Sequence, residues 1–117
     1  MNSQSLITDE DREQLLANGQ VLAEDHGVDP LPVVRLFTPD AHASWLLVCV
    51  DPVDGDTAYG LIDLGIGMPE VGTVRLSALA SIVGPCKHGV MRDHYFQAAR
   101  PLSGYVRLAK ENGSITD

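Results

Sequence analysis

Trp45-Leu-Leu-Val-Cys-Val50, bracketed by Val33-Val-Arg-Leu-Phe37 and Tyr59-Gly-Leu-Ile-Asp-Leu64, decides the fold. The central run is apolar without alternation, which predicts a strand covered on both faces in the middle of a sheet. Its neighbours are rich in β-branched and aromatic residues. The gaps between the runs hold turn chemistry, Thr38-Pro-Asp40 on one side and Asp51-Pro-Val-Asp-Gly-Asp56 on the other. Connections this short favour antiparallel hairpins over helical crossovers. Past a glycine-rich stretch, Gly65-Ile-Gly-Met-Pro-Glu-Val-Gly72, residues Gly72 to Leu76 supply a fourth strand.

Helices are expected outside this block. Thr8 followed by Asp9, Glu10 and Asp11 reads as a helix start, because the hydroxyl caps free N–H groups and the acids face the positive end of the dipole. Leu15 and Leu16 give that helix an apolar edge; Asn18-Gly19 offers a left-handed stop, and the alternative is a second turn or short helix, Gln20 to Asp25, that continues it before His26-Gly27. Asp29-Pro-Leu-Pro32 breaks any helix. Ser77 opens a short helix, Ala78 to Val83, ended by Gly84-Pro85. Residues 86–100 carry no clear pattern. Leu102, Tyr105, Val106 and Ala109 recur at helical spacing, and Asn112-Gly113 closes that last helix. The expected fold is α+β, a small antiparallel sheet of three to four strands with N-terminal and C-terminal helices packed on it.

The chain has 117 residues, 44% hydrophobic and 21% charged, which predicts one globular domain over residues 1–117. Its longest apolar run is far below the ~20 residues of a membrane span, and Met1 to Asp11, polar and then acidic, lacks the pattern of a secretory signal. A cytoplasmic protein with no membrane partner is expected. Cys49, inside an apolar strand, reads as a small buried hydrophobe, and Cys86 falls in a loop; reduced thiols are expected.

Charge is distributed unevenly. The net value is −8, but residues 1–70 hold thirteen acids against Arg12 and Arg35, a balance of −11, while residues 71–117 stand at +3. Such a field repels nucleic acid, whose binding needs positive charge to release counterions, and favours a partner with a basic surface.

Several stretches together resemble one family. Pro32-Val-Val-Arg-Leu-Phe-Thr-Pro-Asp40, Trp45-Leu-Leu47, Asp51-Pro52, Gly60-Leu-Ile-Asp-Leu-Gly-Ile-Gly-Met-Pro-Glu-Val-Gly72 and, near the start, Leu15-Leu-Ala-Asn-Gly19 come in order and with similar gaps. They resemble the domain of unknown function 2958 over roughly residues 14–108. The resemblance implies a setting in bacterial plasmids and integrated mobile elements, whose proteins serve replication, transfer or evasion of host defence. It carries no catalytic residues over.

Candidate sites follow from charge. Asp51, Asp54 and Asp56 cluster in six residues, but their 1, 4, 6 spacing departs from a calcium loop and Ile62 stands where its last glutamate would be, so no metal is expected. A turn in which Asp-Gly supplies positive φ is expected there, its carboxylates projecting from the tip. Asp51, Asp54 and Asp56 with Asp9, Glu10, Asp11, Asp40 and Glu70 form the expected partner-binding set. No cofactor and no catalytic residue is expected. The resulting expectation is a small acidic interaction protein that binds a host protein or nucleoprotein complex, as an anti-CRISPR or anti-restriction inhibitor does.

Two alternatives stay open. One is a plasmid-transfer or maintenance factor binding nucleic acid through Arg75 to Lys110 with Tyr95, Phe96 and Tyr105, against which Tyr105 falls on the buried helix face. Arg92, Arg100, Arg107 and Lys110 are instead available to pair with acids of the first half, within the chain or across a homodimer. The other is a hydrolase with Asp63 and Glu70 as paired carboxylates. Cys86, His88 and His94 lack the spacing of a zinc site.

Overall fold

A computed structural model describes residues 7–25, 27–38, 43–65, 67–81, 89–93 and 96–115. Helix α1 (Asp9–Glu24) leads into three antiparallel hairpins: β1 (Val34–Phe37), β2 (Ser44–Val50), β3 (Thr57–Asp63) and β4 (Glu70–Arg75). A short α2 (Leu76–Ala80), a two-residue β5 (Met91–Arg92) and α3 (Leu102–Asn112) complete the order. The sheet runs β4-β3-β2-β1-β5, all neighbours antiparallel. It therefore has five strands rather than three to four. The fifth is too short for any periodicity to announce; it is set by pairing, Leu36 opposite Arg92 and Phe37 opposite Met91.

β2 lies in the middle of the order, and all seven of its residues are buried, as its uninterrupted apolar run predicts. One face carries Val34, Leu36, Trp45, Leu47, Val50 and Ala58, packed with Leu15, Leu76 and Leu79. The other carries Leu46, Val48, Cys49 and Leu61 under Leu102, Tyr105 and Ala109 of α3. Gly113, at φ +76°, ends α3 in the left-handed conformation that glycine adopts without penalty.

α1 does not stop at Asn18-Gly19 but runs on to Glu24, and the sheet explains why. β1 pairs with β2 only as far as Leu47, whose carbonyl accepts from Val33 N at 2.8 Å, and the preceding Pro32 has no N–H to extend the ladder. A bulge between Leu47 and Cys49 turns the Val48 carbonyl to that same open side. There the Asn18 amide donates to it at 2.8 Å. A Cβ built on Gly19 would overlap the carbonyl oxygen of Val50, so only glycine lets the helix lie this close. α1 thus covers the part of β2 that β1 leaves bare, and it touches both cores, Leu15 in one and Leu22 beside the other.

α2 also begins elsewhere than expected, at Leu76 rather than Ala78. Its start is capped from the β2–β3 loop: Asp56 accepts from Ser77 N at 2.9 Å and Ser77 Oγ at 2.7 Å, and its carbonyl accepts from Leu76 N. The expected end at Val83 lies outside the described residues. Among those residues, no helix is long and apolar enough to cross a membrane.

Candidate functional site

The first turn of α1 and the β2–β3 loop meet at one corner. Thr8 and Asp11 form a capping box, Asp11 N donating to Thr8 Oγ1 at 3.0 Å and Thr8 N to Asp11 Oδ2 at 3.3 Å. One turn further on, Arg12 donates from its guanidinium to the Gly55 carbonyl at 3.0 Å. This bond sets the start of α1 against the tip of the loop. Asp9, one turn before Arg12, shares its side of the helix; Asp9, Glu10 and Glu13 are exposed, as are Asp51 and Asp54.

The loop acids are partly spent on their own backbone. Asp51 accepts from Val53 N at 2.9 Å. Asp54 accepts from Asp56 N, Thr57 N and Thr57 Oγ1, and these donors, chiefly Thr57, pull its carboxyl down to about 2. Asp56 is lowered too, first by the Ser77 hydroxyl and then by the Ser77 N–H. A carboxylate has about four acceptor sites, so Asp51 and Asp54 keep oxygen lone pairs toward solvent, and the donors around Asp54 hold its charge on.

The structure separates the remaining expected residues. Asp11 is turned inward to Arg92 Nε at 2.7 Å, which ties α1 to β5. Glu70 is exposed at the start of β4, the end away from the corner, because Arg75 at the strand's other end pairs with Thr57. Asp40 lies outside the described residues, as do Cys86, His88 and His94.

Asp63 and Glu70 do not converge. Glu70 pairs across to Ile62, so the pleat puts it on one face, while Asp63 shares the opposite face with Leu61. Asp63 is only 4% exposed, and its oxygens accept from Gly65 N at 2.9 Å and Ile115 N at 3.0 Å. It closes the β3–β4 turn onto the segment after α3. Among the described residues, no three His, Cys, Asp or Glu side chains gather as they would around a metal ion.

The basic residues of the second half are dispersed. Arg92 pairs with Asp11 of the first half, as charge bookkeeping allows, and Arg75 approaches Asp56 at 3.6 Å. Arg100 lies over the Tyr105 ring at 5.3 Å, and that ring is buried, its hydroxyl accepting from Ala99 N.

Beside the acidic corner opens a groove of about 750 Å³ that no sequence motif marks. Its floor is the part of the sheet that α3 leaves uncovered, with Cys49, Tyr59 and Thr73 side by side on β2, β3 and β4. One wall is the end of α1 with Val28 and Pro30, and the other is α3 through Leu102 and Val106. Asp29 fixes the start of α3 by accepting from Ser103 N and Oγ, and Pro30 O accepts from Leu102 N. Burial, and secondarily the charge of Asp51, raises the Cys49 thiol. The groove ends at Asp51, Pro52 and Thr57, which belong to the acidic corner as well.

The molecule is thus an α+β sheet protein with an acidic corner opening onto an apolar groove. Residues 6–116 match the model of a family described as protein of unknown function (DUF2958), and the chain belongs to that family. No curated protein and no solved structure matches it.

Proposed function

We propose that the chain is a non-enzymatic binding protein whose acidic corner engages a basic surface on a partner. The observation that supports this most is the Arg12 to Gly55 hydrogen bond, which spans 43 residues of sequence and joins the acids of α1 and of the loop into one surface. Exposed Asp9, Asp51 and Asp54 stand there, with exposed Glu10 and Glu13 on the same first turns of α1, and the low titration of Asp54 keeps its charge on at any physiological pH. Basic grooves that hold nucleic acid are the partner surfaces this chemistry fits, since carboxylates there replace phosphates. The concrete form is an inhibitor of a bacterial host defence complex, anti-CRISPR or anti-restriction, acting in the cytoplasm.

Capture from nuclease-treated bacterial lysate tests the reading. A basic, nucleic-acid-binding protein should be retained at low salt and released as salt rises. Recovery of the same proteins by Asp9→Lys/Glu10→Lys/Asp51→Lys would refute it.

A further inference from the structure

We infer that the groove beside the acidic corner receives an amphipathic segment of the partner, apolar on one side and carrying lysines or arginines on the other. This rests on the reading of the corner as a site for a basic partner, and it adds what anchors that partner. The floor presents apolar and aromatic surface to solvent, Tyr59 at 37% and Val71 at 38% exposure, where the same sheet face further along is sealed by α3. An uncovered sheet face framed by the ends of two helices has the shape that a further helix fills.

Charge selects the occupant. Two carboxylates, Asp29 and Asp51, line the groove against one guanidinium, Arg107, and the exposed loop acid Asp54 follows three residues after Asp51. An anionic or purely apolar ligand would leave those carboxylates facing repulsion or desolvation. A segment with leucine-like anchors in the groove and cations over Asp51 and the loop meets both halves of the site. At about 750 Å³ the space suits a few side chains of one segment, in the ~300–1,000 Å³ range of ligand pockets.

The test is a ¹H–¹⁵N titration of the intact chain with a synthetic 18-residue amphipathic Leu/Lys peptide and its Leu/Glu counterpart. The Leu/Lys peptide should bind saturably and shift the amides of Leu22, Tyr59, Val71, Thr73 and Val106. Tyr59→Ser/Val71→Ser, which removes the floor without touching charge at exposed positions, should weaken it at least tenfold, and Asp51→Asn severalfold. Shifts confined to residues 9–13 and 51–56, with affinity unchanged in Tyr59→Ser/Val71→Ser, would overturn the groove assignment and leave the acidic corner standing. Equal or tighter binding of the Leu/Glu peptide, or no saturable binding of either, would overturn it too. Concentration-dependent shifts at the groove amides without peptide would assign the space to a second copy of this chain. Failure of the corner reading is scored separately, by lysate capture with Asp9→Lys/Glu10→Lys/Asp51→Lys.

Discussion

Gly19 shows how a single missing methyl group positions a helix. By propensity alone, alanine inside α1 would stabilise the helix by about 1 kcal/mol. Here its Cβ would overlap the Val50 carbonyl oxygen, and moving the helix away would also strain the Asn18 bond to Val48. Overpacking of that kind costs about 1–3 kcal/mol, so Gly19→Ala should lower stability on urea unfolding in spite of its propensity gain. Asp63 makes a second residue-scale case. It is buried and accepts from two backbone N–H groups, and Asp63→Ala would strand both, for a loss of about 1–3 kcal/mol. Asp54 gives a pH signature. Its carboxyl titrates near 2 when folded against about 3.9 in an unfolded chain, so its stabilising effect is complete above about pH 4 and is lost as pH falls toward 2. Acid unfolding followed from pH 5 to 2 should be less steep in Asp54→Asn than in the parent.

At the scale of elements, legibility tracked how local each cause was. The apolar run of β2 depends only on its own residues, and it announces a central strand. The same holds for the acidic, threonine-capped start of α1 and for Gly113 at the end of α3. Elements decided from a distance left their bounds open in the sequence, as at Asn18-Gly19, where a stop and a continuation over Gln20 to Asp25 both fit. Nothing near Asn18-Gly19 says that a bulged strand 30 residues on will take the Asn18 amide and keep the helix going. Likewise α2 begins where Asp56, 21 residues before Ser77, supplies its cap. β5 exists because β1 has an open side and because Arg92 meets Asp11. That contact carries a prediction: Asp11→Ala removes a capping residue and a charge-assisted bond together, and should cost about 1–3 kcal/mol. A thermal double-mutant cycle with Arg92→Ala would assign the share that belongs to the pair.

Across the whole molecule, the candidate site was legible in half. The acids of α1 and of the β2–β3 loop stand out by composition, and the fold brings them to one corner. Composition could not separate charges that face solvent from those spent internally, such as Asp11 on Arg92 and Asp56 on Ser77. The groove left no local trace, because its floor takes one or two residues from each of three strands and its walls come from opposite ends of the chain. The central claim is that the exposed part of this acidic corner binds a basic partner. Its most direct test compares the parent with Asp9→Lys/Glu10→Lys/Asp51→Lys, in which Asp11, Asp54 and Asp56 keep their structural bonds. The variant gives up the Asp51 bond to Val53 N and sets lysines against the positive end of α1, so it should unfold at a somewhat lower temperature while staying folded under the capture conditions. From nuclease-treated lysate, the parent should capture a basic, nucleic-acid-binding protein in a salt-sensitive way, and the triple variant should lose it by tenfold or more. Equal capture by the two proteins would contradict the account.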